Sequence, residues 1–223
     1  VNSVRAALPF ALIAFAGAVS ACGAGRPAAQ PAPEYPGDLA TLTDDGRDFM
    51  ARQRVEFARG ETRVTSDVVI QKVGDELTVI ALSPMGTRAY VIRQKGAAIT
   101  SVDAAQGAPA PVPPEFVLLD IHRTYFLALT PPATGSGTAE GVLHGERVTE
   151  AWADGVLAER RFLRAGPTTP GAIHIRFAPK EEAEPEFWLP GAVLENPWLG
   201  YRLTIRTVSA TRIPPRTSTR DVP

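Results

Sequence analysis

Residues 62–94 read TRVTSDVVIQKVGDELTVIALSPMGTRAYVIRQ, and the breaks within this stretch decide the fold. Runs rich in Val, Ile, Thr and Tyr are interrupted at Gly74-Asp75 and at Ser83-Pro84-Met85-Gly86. Short β-prone runs bounded by tight turns predict antiparallel strands over 62–73, 76–82 and 87–94. Side chains two apart share a strand face, which puts Val68 with Ile70, and Leu77 with Val79 and Ala81. Between Thr65 and Lys72 the alternation is only partial, so the hydrophobic pattern specifies register moderately.

The same pattern extends outward. A strand is expected over 49–57, ended by Arg59-Gly60-Glu61, and another over 97–102 after Lys95-Gly96. Four prolines between Ala104 and Pro114 break the meander, and Pro114 opens a segment whose length and composition suit a helix over 116–129. Proline is tolerated in the first helical turn, where its missing N–H has no intrahelical partner. Phe116, Leu119, Arg123 and Phe126 form one stripe of this helix, and Leu118, Ile121, Tyr125 and Leu129 another. With most of its circumference apolar, it must be covered. Strands follow over 145–152, 156–163, 172–177, 187–195 and 201–208, with Asp154-Gly155 as a hairpin turn. The expectation is about ten strands with one or two helices.

The N-terminal stretch differs in kind. Arg5 precedes an apolar run from Ala6 to Val19, then Val19-Ser20-Ala21-Cys22. A basic residue, a short apolar run and a small-residue site read as a secretion signal over 1–21. Val-Ser-Ala-Cys matches the bacterial lipobox, so Cys22, the only cysteine, is expected to carry the lipid as the mature N-terminus. Two or three acyl chains, palmitate among them, anchor stably where one would bind only marginally. Residues 22–40, rich in Ala, Pro and Gly, read as a tether; 41–208 as the folded domain; 209–223 as a disordered tail.

Composition excludes several functions. The chain has 23 Lys plus Arg against 24 Asp plus Glu, a formal net charge of −1, which is not the footprint of a nucleic-acid binder. The cations are scattered along the sequence, which argues against a polybasic membrane segment. His122, His144 and His174 lack metal-ligand spacing, and a lone cysteine cannot build a thiolate metal centre. No nucleophile elbow or phosphate loop occurs, so no cofactor, metal or catalysis is expected. Asp120-Ile121-His122-Arg123 admits two readings: a surface ion pair at i,i+3, or polar groups at a cavity mouth that meet a ligand head group. Glu159 to Phe162 reads as charge on a solvated strand face, and Trp152, Trp188 and Trp198 as core or rim packing.

The blocks RQRVEF (52–57), DVVIQKVGDELTVIALSPMGTRAYVI (67–92), PPEFVLLDIHRTYFLAL (113–129), GERVTEAWADGVLAERRF (145–162) and LENPWLGYRLTIRTV (194–208) occur in this order. In them the chain resembles a family of bacterial outer-membrane lipoproteins with a domain of unknown function. That family is similar in turn to the outer-membrane receptor of the lipoprotein-localisation (Lol) pathway. The resemblance implies a LolA/LolB-like fold: a half-open, strongly curved antiparallel β-barrel covered by helix, whose hollow receives acyl chains. It also implies an acyl-cavity lining of Val68, Ile70, Leu77, Val79, Ala81, Phe116, Leu119 and Phe126. The loop Pro84, Met85, Gly86 matches the receptor loop that bears a protruding apolar residue for transfer to the membrane, a role Met85 would take. A turn whose methionine folds back into the core is the other reading of that loop. Gly23 after Cys22 favours the outer membrane, facing the periplasm. The chain departs from the receptor in extra length around 107–113 and 181–185. The function implied is non-catalytic binding or transfer of an acylated or lipid-like molecule, received from a periplasmic carrier protein. The alternative is a cell-envelope assembly or scaffold lipoprotein with a packed barrel that docks a protein.

Overall fold

The structure, a computed structural model, describes residues 35–43, 47–83, 85–105, 112–164, 170–179 and 189–214. The chain divides into two units, 1–32 and 33–223, and every described residue belongs to the second. The signal segment, Cys22, most of the tether, Pro84 and Trp188 lie outside the described residues.

The strands are β1 (Phe49–Arg59), β2 (Thr62–Val73), β3 (Glu76–Leu82), β4 (Arg88–Lys95), β5 (Ala98–Ala104), β6 (Gly137–Leu143), β7 (Glu146–Ala153), β8 (Val156–Arg164), β9 (Ile173–Phe177), β10 (Ala192–Asn196) and β11 (Tyr201–Arg212). They form one antiparallel sheet in the order β5-β4-β3-β2-β1-β11-β10-β9-β8-β7-β6. Two meanders meet where the first and last strands pair. The sheet is open, with β5 and β6 as its edges. Between them in sequence, helix α1 (Pro114–Ile121) continues into a π-helical turn over His122–Phe126.

The mainly β architecture with a helical cover follows the sequence pattern, and the exceptions have local causes. β6, GTAEGVL, is a strand the pattern did not predict. Gly137 and Gly141 dilute its β-propensity, and glycine weakens a strand interior. Of the strand expected over 187–195, the described residues 189–191 are irregular and the strand begins at Ala192, because Pro190 and Gly191 interrupt it. The helix ends three residues before its expected limit: Leu127 is extended (φ −96°, ψ 127°), and its N–H closes a π-turn on the His122 carbonyl at 2.8 Å.

The expected domain limits also move. The tether was to run through Ala40, yet Tyr35 and Ala40 are buried among the strands and helix. The tail was to begin at Ser209, yet β11 continues to Arg212 and pairs residues 209–212 with Phe49–Arg52. Phe49 and Ala51 are apolar and inward there, so the extra pairing completes a buried face.

That face holds two apolar groups. Phe49, Ala51, Ile70, Leu77, Val79 and Ile92 pack with Leu118 of α1, whereas Val148, Phe162, Ile173, Ile175, Leu194 and Tyr201 pack with Leu119. Val117 and Leu39 touch both. Gly191 has a structural reason of its own: a Cβ there would sit 2.9 Å from the backbone oxygen of Ile205 in β11. Because backbone on a central strand cannot step aside cheaply, Gly191→Ala is expected to cost about 1–3 kcal/mol. Urea unfolding midpoints of the two chains measure it, and an unchanged midpoint would refute the tight approach.

Candidate functional site

Polar side chains fasten the helical cover to the sheet at defined points. Asp120, His122, Arg123 and Thr124 are all buried, although they sit on an element whose apolar stripes already face the core. Neither reading of residues 120–123 holds. The Asp120–Arg123 pair, at 2.9 Å, leaves the two side chains only 4% and 1% exposed, so it is neither on the surface nor at a mouth.

Arg123 is the centre of the arrangement. Its Nε donates to Glu146 Oε2 at 3.0 Å, Nη1 to Asp120 Oδ1 at 2.9 Å and to the Tyr35 hydroxyl at 3.1 Å. Nη2 meets Glu146 Oε2 at 2.9 Å and donates to the Pro36 carbonyl. Guanidinium carries five N–H donors, and each has an acceptor here. Asp120 is held as completely: Tyr35 donates to Oδ1 at 2.6 Å, and Tyr201 and Asn196 donate to Oδ2. Burial, then the neighbouring Asp120 carboxylate, pushes the Tyr35 and Tyr201 phenols well up, so both remain protonated donors. Burial pushes the Glu146 carboxyl up, against the pull of Arg123.

The N-terminal strap, residues 35–42, is locked into this cluster. Besides Tyr35 and Pro36, Gly37 adopts φ +88°, and a Cβ there would fall 2.6 Å from Glu146 Oε2. Only glycine fits a left-handed turn pressed against a buried ion pair. Further along, the Ala40 carbonyl accepts from Gln94 Nε2 at 3.0 Å, and Leu42 N–H bonds Gly96 O. Gln94 Oε1 meets His122 Nε2 at 2.7 Å.

A second buried pair lies beneath the π-turn. Arg160 Nε bonds Glu150 Oε1 at 2.7 Å, and Arg160 Nη1 bonds the Arg123 carbonyl at 2.6 Å. Glu150 also takes the Trp152 indole N–H and the Leu129 N–H. The run 159–162 was read as solvated charge. Glu159 and Arg161 do face outward, but Arg160 shares the inward parity of Phe162, and that parity was the available signal.

The proposed acyl-lining residues are brought together in part. Val68 pairs with Ala81 and Ile70 with Val79 across β2–β3, and Ile70, Leu77 and Val79 pack with Phe126, whose ring lies 6.3 Å from Phe49. Phe116 and Leu119 belong to the other half, with Phe116 4.3 Å from the Tyr35 ring. Met85 is 89% exposed, so it does not fold back into the core. An open depression on the outer face is lined by Arg161, His174, Glu195, Pro197 and Arg202. His174 Nε2 lies there 3.1 Å from Glu159 Oε1. The three histidines occupy separate elements: His122 on the π-turn, His144 between β6 and β7, and His174 on β9.

A family model spanning residues 50–209 matches the chain from the start of β1 into the end of β11. The chain belongs to the family described as "Protein of unknown function (DUF3261)". The family segment thus contains every strand and the helical cover, whereas the strap precedes it. In sequence, no curated protein matches. Solved structures similar to the chain include two from bacteria. One is a LolA superfamily protein from Nitrosomonas europaea (13% identity, TM-score 0.46, 82% of this chain and 90% of that one). The other is a putative outer membrane lipoprotein-sorting protein domain from Vibrio parahaemolyticus (10% identity, TM-score 0.43, 80% and 89%).

Two measurements probe the clamp. Arg123→Met strands two buried carboxylates and is expected to lower the unfolding free energy by about 3–5 kcal/mol; Arg123→Lys, with fewer donors, restores only part. Equal urea midpoints for wild type and Arg123→Met would refute the clamp. His122 responds to pH. Burial, with His144 and Arg123 nearby, pulls its imidazole down from 6.5 to about 4. As pH falls below 6.5 the unfolded chain takes the proton first, so this group withdraws stability between pH 6.5 and about 4, by about 3 kcal/mol at most. Over that window, unfolding free energy should fall more steeply for the wild type than for His122→Gln; parallel curves would refute the burial.

Proposed function

We propose that this chain is a periplasm-facing outer-membrane lipoprotein, anchored through Cys22, that binds or transfers an acylated molecule without catalysis. The reading is carried by one observation: the neighbouring residues His122 and Arg123 fasten to β4 and β7. These strands are each second from opposite edges of the sheet. At about 4.8 Å per strand, a flat sheet would hold them about 40 Å apart, whereas adjacent Cα atoms are ~3.8 Å apart. Such reach supports a sheet that wraps around the helix as a strongly curved half-barrel, with the helix plugging an apolar hollow.

In this reading the helix is a displaceable cover. Moving it would uncover Ile70, Leu77, Val79 and Ala81, all at 0–3% exposure, to an acyl chain. A palmitoyl-length chain buried there regains about 11 kcal/mol at ~0.8 kcal/mol per methylene. That is comparable to breaking two or three buried ion pairs at about 3–5 kcal/mol each. The cargo can therefore offset the release of the clamp. Met85, exposed at the β3–β4 loop, suits a tip that enters the membrane during transfer. The same near-complete burial also favours a second reading, a packed scaffold that docks a protein.

Native mass spectrometry with lipid extraction separates the two. The mature chain, residues 22–223 with Cys22→Ser, is expected to carry or take up one acyl-bearing molecule, and to lose it when Val79→Trp fills the hollow but not when Val142→Trp alters an exposed position. A chain that is ligand-free and refuses added fatty acid would leave the packed scaffold.

A further inference from the structure

Cations that are dispersed in sequence become neighbours on the outer face of the sheet. The register pairs Arg88 of β4 with Leu82, Leu82 with Asp67, Asp67 with Arg54, and Arg54 with Arg206 of β11. Directly paired residues point to the same face, so Leu82, Asp67, Arg54 and Arg206 form one row across four strands, and Arg88, beyond a bulge that interrupts the alternation, is exposed at its β4 end. Arg52 joins it, because it and Arg54 both bond the Asp67 carboxylate. Its side chain and that of Arg54 are each 51% exposed. Arg88, Met85 and Arg206 are exposed too.

The charge balance of the row is unusual for a chain of net charge −1. Four guanidiniums lie along it with one carboxylate, Asp67, and that carboxylate is already shared by Arg52 and Arg54. Glu56, the next acid on the outer face of β1, pairs with Arg63 at 3.8 Å. Among the described residues, no carboxylate pairs with Arg88 or Arg206. Arg54 and Arg206 stand directly opposite each other, a like-charge arrangement that costs free energy unless an anion sits between them. The loop carrying Met85 joins Leu82 to Arg88, so an exposed apolar tip lies at the end of the row.

We propose that this row is a docking face for an anionic phospholipid surface, with the guanidiniums of Arg52, Arg54, Arg88 and Arg206 on lipid phosphates and Met85 entering the acyl boundary. Guanidinium binds phosphate with paired N–H donors. Basic residues beside an inserted apolar side chain combine two weak membrane signals into a stable one. A nucleic acid would find Leu82 and Met85 where it needs stacking or further cations. The docking face rests on, and extends, the membrane role given above to Met85.

The test is vesicle sedimentation of the mature chain, residues 22–223 with Cys22→Ser, which excludes both the apolar run of the signal and any lipid on residue 22. Vesicles containing phosphatidylglycerol are expected to bind it much more tightly than pure phosphatidylcholine, and the preference should shrink as salt rises. Arg54→Gln with Arg206→Gln should weaken binding to the anionic vesicles about thirtyfold. Arg161→Gln with Arg176→Gln, the same charge change elsewhere on the outer face, should leave it within about threefold. Met85→Ser should weaken binding to both vesicle types. Circular dichroism and urea midpoints establish that each variant folds, and Arg206→Gln alone, with an expected loss of about fivefold, serves if the double variant does not. Equal binding to both vesicle types, or equal losses for the two double variants, would overturn the docking face. Fatty-acid uptake is read separately in each variant: its absence with vesicle binding intact removes the carrier reading and leaves the docking face standing.

Discussion

The largest set of polar contacts that fixes the helix converges on the buried guanidinium of Arg123. One side chain joins four parts of the chain: the strap through Tyr35 and Pro36, its own helix through Asp120, the far meander through Glu146, and, through Asp120, the β10–β11 corner at Asn196 and Tyr201. Burying an unpaired cation is prohibitive, and burying a paired one is near neutral only when every donor is met. The five contacts of Arg123 satisfy that condition, and they do so only when all four parts are in position. The clamp thus contributes specificity of arrangement more than net stability. Apolar contacts supply the bulk of the free energy, but they would tolerate the helix at several rotations.

The same logic accounts for the π-turn. Residues 120–124 must send Asp120 and Arg123 to one side, His122 to Gln94, and the Arg123 carbonyl to Arg160. A regular α-helix spaces side chains by 100° and keeps its carbonyls for the i+4 amides. Widening one turn to an i−5 bond frees carbonyl oxygens for Arg160, which the Arg123 and Thr124 oxygens both accept. Beyond it Leu129 N–H finds Glu150 rather than a helical carbonyl, so the helix ends where the second ion pair begins.

The strands were legible because their signal is local. Glycine-bearing turns at 74, 96 and 155 and β-branched runs between them specify hairpins without reference to anything distant. β6 escaped because its glycines remove that signal, and its pairing with β7 comes from the His144-Gly145 turn, where His144 takes φ 47°. The clamp was illegible for another reason: Tyr35, Asp120, Arg123, Glu146, Asn196 and Tyr201 are up to 166 residues apart, from Tyr35 to Tyr201, and no spacing rule joins them. The position of the strap misled as well. A proline-rich, alanine-rich segment reads as a tether until Tyr35 and Gly37 are seen to fit one buried corner. Likewise scattered arginines read as unclustered, although β-sheet register is what decides which residues become neighbours.

Two faces of one sheet therefore carry opposite chemistry, and the connection between them is topological. β1, β2 and β3 present Ile70, Leu77, Val79 and Ala51 inward and Arg54, Asp67 and Leu82 outward by the same alternation of side chains. A one-residue slip of any of these strands would exchange the two sets, placing arginine under the helix and valine in water. The inward demand is the stricter, because an unpaired buried arginine costs far more than an exposed valine. Packing of the apolar face against the helix therefore sets the register, and the outward row of guanidiniums follows from it. A docking face built this way needs no basic segment in the sequence: it persists as long as the core keeps its strands aligned.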